Sequence, residues 1–132
     1  MSDVGIGRVI LIVEDNDKNL KLARDVLRFH GFGTIEASSG EKGMALALEH
    51  HPDLILMDIA LPGLDGVAVT QRLKSEVVTR SIPVVALTAS VMQADRMRFV
   101  EAGFAGCIAK PIDVVAFPGL VLSYCERGSK AL

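Results

Sequence analysis

Five short apolar runs punctuate this chain, at residues 8–13, 33–37, 53–57, 82–87 and 106–109, and between them lie longer segments whose apolar residues recur every three or four positions. The runs are too short for helices, whereas the intervening segments have the period of helices buried along one stripe. The chain therefore reads as βα repeated five times. The first, third and fourth runs are continuously apolar, which marks strands covered on both faces in a parallel sheet. Helices on both faces of such a sheet make a doubly wound α/β sandwich.

Local signals place the helices. The first is predicted to start at Asn16 or Asp17 as N-cap, to bury Leu20, Ala23, Val26 and Leu27, and to stop at Gly31. The second covers about residues 40–50, with Met44, Ala45 and Leu48 on its stripe and Pro52 as its stop. The third runs from Asp65 through Val69 and Leu73 to Val77, and the fourth from Val91 through Met97 and Val100 to Gly103. Met92 and Met97 have the soft side chains of a partner surface, with core packing the preferred reading for Met97. In the last helical stretch, residues 113–127, Pro118-Gly119 interrupts the pattern. An interior proline costs about 3 kcal/mol, so the helix either kinks there or restarts with Pro118 in its first turn. Residues 1–7 and 128–132 look loose.

The residues just after the runs carry the chemistry. Glu14 and Asp15 follow the first run, Asp58 the third, Thr88 the fourth and Lys110-Pro111 the fifth. In an open doubly wound sheet, ligands bind outside the carboxyl ends of the strands where the strand order reverses. For five strands in the flavodoxin-like order 2-1-3-4-5, that point lies between the first and third strands, which end in Glu14-Asp15 and Asp58. Three carboxylates so close repel one another unless a cation sits among them. Mg²⁺ suits the set, because it takes oxygen ligands and needs few protein carboxylates beside water and phosphate. Zinc is disfavoured, since Cys and His are absent from the constellation. Thr88 supplies a hydroxyl and Lys110 an ammonium for a phosphoryl group, and Asp58, between metal and lysine, is the nucleophile that would carry it as an acyl phosphate.

Bulk properties narrow the class. With 132 residues, half of them hydrophobic, the chain is expected to be one domain, residues 1–132, with its core in 8–127. A net charge of -2, without a basic stripe, makes nucleic acid an unexpected direct partner. No apolar run approaches the roughly 20 residues of a membrane span, and no signal peptide is evident at the N-terminus. Cys107 and Cys125 lack CxxC spacing and are expected reduced, in the cytoplasm. Cys107 reads as a small buried hydrophobe. His30, His50 and His51 fall at helix ends, where an imidazole suits the dipole better than a metal. Asp53, Asp65 and Asp113 read as caps or turn formers. Gly5-Ile6-Gly7 precedes the first strand and is no phosphate loop.

The chain resembles the receiver domains of response regulators in bacterial two-component signalling, over residues 8 to about 117. The resemblance rests on Val13-Glu14-Asp15-Asn16, on Met57-Asp58 followed by Leu61-Pro62-Gly63 and Asp65-Gly66, on residues 83–89 ending in Thr88-Ala89, and on Gly103 through Lys110-Pro111. It implies that Asp58 takes a phosphoryl group from a phosphohistidine on a histidine kinase or phosphotransferase. It also implies that Asp15, Asp58 and the Ala60 carbonyl ligate Mg²⁺, with Glu14 acting largely through water. Thr88 would move toward the phosphate, Lys110 would pair with it, and the Lys110-Pro111 bond would be cis. A helical bundle would dock beside the first helix near Leu22, and the new charge would shift a two-state equilibrium around the fourth strand and fourth helix, read by a downstream protein.

Two positions depart from the family pattern. Cys107 stands where the family usually has Tyr or Phe, so a weaker structural response in the fourth helix is expected. Pro118-Gly119 weakens the expectation of the family's common dimer surface, built from the fourth and fifth helices, so a monomer or weak dimer is expected. Two rivals are less favoured. A phosphatase with an aspartyl nucleophile would need a second Asp at Ala60, and a flavin-binding module would need a hydroxyl- and glycine-rich loop after the first strand.

Overall fold

A computed structural model describes residues 4–61, 63, 65–89 and 93–128. Pro62, Ser90, Val91 and Met92 lie outside the described residues. The elements alternate as β1 (Val9–Val13), α1 (Asp17–Phe29), β2 (Gly33–Ala37), α2 (Gly40–His50), β3 (Leu54–Asp58), α3 (Gly66–Ser75), β4 (Val84–Thr88), α4 (Gln93–Ala102), β5 (Gly106–Ala109) and α5 (Phe117–Arg127). The strands form one parallel sheet in the order β2-β1-β3-β4-β5, the predicted flavodoxin-like arrangement.

Strand alternation divides the interior in two. Leu11, Val13, Ile55, Met57, Val84 and Ala86 face one way, with Ala47, Val69, Leu73 and Phe99 from α2, α3 and α4. Ile10, Ile12, Leu54, Leu56, Val85, Leu87 and Ile108 face the other, with Ala23 and Leu27 of α1 and Phe117 and Val121 of α5. Leu54, Ile55, Leu56 and Met57 are wholly buried, as a central strand covered on both faces requires, and each such side chain contributes about 1.5–3 kcal/mol.

Helix ends follow their caps. Asn16 accepts from the Asn19 amide at 3.0 Å, and Asp65 from that of Ala68 at 2.8 Å. Asp113 accepts from the amides of Val115 at 2.9 Å and Ala116 at 3.3 Å, forming a turn after which α5 begins with Pro118 in its first turn. The interruption is therefore a restart, which places the proline where no helical N–H is needed. Asp53 accepts from the Val9 amide at 2.7 Å and ties β1 to the start of β3.

Several sequence-based expectations need correction. Ala45 and Leu48 are exposed, and α2 instead buries Gly43 and Ala47. These small residues let the helix lie close on β1, where a Cβ at Gly43 would stand 2.8 Å from a Val13 methyl. Met97 is 62% exposed rather than in the core, because α4 turns Phe99 and Ala102 inward and Phe99 packs edge-on against Phe104 at 5.5 Å. Cys107 is only half-buried, since β5 is an edge strand. Cys125 is likewise a free thiol, and burial pushes its pKa up to about 11. The N-terminal segment is tied down within its described part: the Gly5 amide donates to the His30 carbonyl at 2.9 Å, and Gly5 is buried beside Phe32.

The third helix also ends earlier than its apolar periodicity suggested, with Glu76 extended and Val77 74% exposed. The buried Thr79 hydroxyl donates to the Leu73 carbonyl at 2.7 Å, and the Lys74 ammonium donates to the carbonyls of Ile82 at 2.6 Å and Arg80 at 3.2 Å. These bonds satisfy helix-end and loop carbonyls that another helical turn would have rearranged. Replacing Thr79 with Val leaves the Leu73 carbonyl without its buried hydroxyl donor. Urea unfolding of Thr79→Val should show a loss of about 1–3 kcal/mol with an unchanged m-value.

Candidate functional site

The sheet continues by single hydrogen bonds past the strand ends, and these bonds deliver the polar residues to one edge. The Glu14 amide donates to the Ala37 carbonyl at 2.9 Å, the Ile59 amide to Leu87 at 3.2 Å and the Lys110 amide to Thr88 at 2.8 Å. In register, Val13 lies opposite Met57, Asp58 opposite Leu87 and Thr88 opposite Ala109. All five predicted side chains are therefore held at the carboxyl edge of β1, β3, β4 and β5.

Glu14, Asp15 and Asp58 each offer a carboxylate oxygen, and the three oxygens lie within 4.8 Å of one another. Glu14 and Asp58 are buried, at 1% and 3% exposure, while Asp15 faces solvent. The Lys110 ammonium lies 2.8 Å from Glu14 Oε1 and 3.1 Å from Asp58 Oδ1. Asp58 Oδ1 also accepts from the Ala60 amide at 3.0 Å, and Glu14 Oε2 accepts weakly from the Asn16 amide at 3.4 Å. Beside Asp58 opens a cleft of about 220 Å³ lined by Ala60, Thr88, Ala89 and Lys110. The Lys110-Pro111 peptide bond is cis.

Electrostatics separates the two buried carboxyls. Burial, then a hydrogen bond shared with Asp58, raises Glu14 from 4.5 to about 7, and Lys110 only partly offsets this. Burial pushes Asp58 upward too, but the Glu14 hydrogen bond, the Ala60 amide and Lys110 together outweigh it and hold Asp58 below the usual carboxylate range. Burial disfavours the Lys110 cation, yet its two carboxylate partners win and raise its pKa. Without a metal, then, ionisation is disfavoured at Glu14 and favoured at Asp58. Glu14 Oε1 has the Lys110 ammonium nearby but, among the described residues, no hydrogen bond of good geometry. A buried, proton-hungry cluster of hard oxygens fits a divalent cation such as Mg²⁺.

Three features escaped sequence reasoning. Lys110, read only as a partner of phosphate, also pairs with Glu14 across the sheet. The Ala60 amide donates to Asp58, a backbone role with no side-chain signal. A narrow crevice of about 30 Å³ also runs from Glu14 and Lys110 between Asn19 and Leu22 of α1 and Ile112 after Pro111. Asn19 and Ile112 carried no motif that could have marked them.

The raised Glu14 pKa makes stability depend on pH. A carboxyl that binds its proton more tightly when folded adds stability below its unfolded pKa of 4.5 and loses it as pH rises through about 7. Chelator-treated protein should therefore become less stable to urea between those limits, Mg²⁺ should restore more stability at the upper end than at the lower, and Glu14→Gln should flatten the dependence. A wild-type profile that is level or rising across this window contradicts the assignment.

Comparison with known proteins agrees with this architecture. The family model for the response regulator receiver domain matches residues 10–119. The polar-differentiation response regulator DivK of Brucella ovis is 47% identical over 115 residues, which are 87% of this chain and 94% of that protein. Among solved structures, the receiver domain of sensor histidine kinase PA1611 from Pseudomonas aeruginosa, with magnesium coordinated in its active-site cleft, superposes with a TM-score of 0.83 at 32% identity and covers 91% of this chain and 98% of its own. CheY4 of Vibrio cholerae shares the fold, with a TM-score of 0.84 at 18% identity over 88% of this chain and 97% of its own. Neither the phosphatase nor the flavin-module reading is favoured by these relatives. The chain belongs to the response-regulator receiver domains of two-component signalling.

Proposed function

We propose that residues 8–127 act as a phosphoacceptor unit in which Asp58 receives a phosphoryl group from a phosphohistidine of a histidine kinase or phosphotransferase, and that the charged state is read by a downstream protein in the cytoplasm. The observation that carries this reading is the buried Asp58 carboxylate at the mouth of a cleft, flanked by Glu14, Asp15 and Lys110. One Asp58 oxygen attacks phosphorus, the P–N bond breaks, and the imidazole nitrogen leaves with the electron pair and takes up a proton. The product is an acyl phosphate on Asp58. Lys110 then has a phosphoryl oxygen to neutralise in addition to Glu14, and Thr88, which lines the cleft, would turn its hydroxyl to the phosphoryl group.

Asp15, Asp58 and the Ala60 carbonyl would hold Mg²⁺, with Glu14 close by. The ion would neutralise the approaching phosphoryl oxygens. This chain's own residues otherwise position and stabilise: the Ala60 amide aims Asp58, and Lys110 balances charge. Small side chains at Ala60 and Ala89 keep the cleft open to a donor.

The donor protein docks over the crevice beside α1. Leu22 is 39% exposed there, and Val114 and Val115 stand out from the turn that follows Ile112. A helical partner would cover these apolar side chains while presenting its phosphohistidine to Asp58.

Two measurements check the proposal. Purified protein should take up phosphate from acetyl phosphate only with Mg²⁺, and Asp58→Asn should abolish it; stable labelling of Asp58→Asn refutes the acceptor assignment. Leu22→Glu should lower transfer from a phosphorylated donor protein by at least about tenfold, the equivalent of 1.4 kcal/mol, while leaving labelling by acetyl phosphate intact. Equal loss with both donors removes Leu22 from the docking surface.

A further inference from the structure

The first residue of α3, Gly66, is buried, and it does not have the left-handed backbone that usually calls for glycine. Its reason is space. A Cβ built on Gly66 runs into the carbonyl oxygen of Asp58, and stands 3.0 Å from Met57 Cγ and 3.1 Å from the Asp58 carbonyl carbon. The first turn of α3 thus lies directly on the peptide that carries Asp58.

Neither side of this contact can yield freely. On the strand side, Met57 is paired with both Val13 and Ala86, and the Ile59 amide is bonded to Leu87. On the helix side, Asp65 caps α3 through the Ala68 amide at 2.8 Å, and its carbonyl accepts from Val69 at 3.0 Å. A side chain at position 66 would force either α3 outward or the peptide after Asp58 to turn. The second movement would misaim the Asp58 carboxylate and the Ala60 amide that bonds it at 3.0 Å.

We infer that Gly66 is a positioning residue for the acceptor site: by lacking a side chain it lets α3 brace the Asp58 peptide from behind. The inference rests on the reading of Asp58 as acceptor and metal ligand. Sites of this kind need their groups held to about 0.5 Å, and loss of such supporting contacts costs roughly 10–100-fold in metal affinity.

The test is a Mg²⁺ titration followed by the amide resonances of Asp58 and Ala60, in wild type, Gly66→Ala and Phe104→Leu. Phe104 is a buried core residue beyond the opposite end of the sheet, so Phe104→Leu serves as the control for lost stability alone. Gly66→Ala should displace the Ala60 amide resonance before any metal is added and weaken Mg²⁺ binding by at least about tenfold. Phe104→Leu should bind as wild type. Wild-type affinity and an unmoved Ala60 resonance in Gly66→Ala overturn the inference, as does an equal loss of affinity in both variants. Should Gly66→Ala be mostly unfolded, the titration is made in trimethylamine N-oxide, which favours the compact state; recovery of wild-type affinity there also overturns it. If wild type itself binds no Mg²⁺, the metal-site reading fails and the inference with it, whereas normal wild-type binding isolates the role of Gly66.

Discussion

The arrangement depends on one electrostatic constraint: three carboxyls are gathered at the edge of the sheet around one paired ammonium among the described residues. Glu14, Asp15 and Asp58 converge there, and Lys110 is the cation that reaches two of them, at 2.8 and 3.1 Å. Burial makes this imbalance consequential, because charges taken from water interact more strongly and cost more to leave uncompensated. A proton on Glu14 is one resolution, and a divalent cation is another. Either one favours an ionised Asp58 beside an open cleft, the form that the proposed acceptor role calls for.

Such a charged cluster must be held by something stiffer than its own interactions. The sheet serves that purpose, since β1, β3 and β4 are covered by helices on both faces and their central side chains are excluded from water. Hydrogen bonds from Glu14, Ile59 and Lys110 extend the ladder one step beyond the strands, so the site residues move with the sheet rather than as free loops. The apolar interior thus does two jobs at once: it stabilises the fold, and it fixes distances among groups that repel one another.

Away from the pocket, the two faces differ in what they present. The α1 side carries Leu22 and the exposed valines after Ile112 next to the site, a surface suited to a helical partner that must bring its phosphoryl group close. On the α4 side, Met97 and Val100 are exposed, and Cys107 lies half-buried on the neighbouring edge strand.

The strand-end chemistry was legible in the sequence because it is local. A continuous apolar run marks a doubly covered strand, and the residue after it must stand at the sheet edge, so Glu14, Asp15, Asp58, Thr88 and Lys110 could be placed before any coordinates. Caps such as Asn16 and Asp65 were legible for the same reason, since their hydrogen bonds span a single turn. Other features depended on distances between segments far apart in the chain, and only the tertiary structure decided them. Lys110 meets Glu14 although β3 and β4 stand between their strands, because the long lysine side chain lies back along the sheet edge past Asp58. Gly43 and Ala47, rather than Ala45 and Leu48, meet the sheet because α2 lies close on β1. Met97 faces out because Phe99 packs on Phe104, and Pro118 begins a helix because Asp113 closes the turn before it. Periodicity states which residues could share a face, but the approach of one element to another selects the face that is buried.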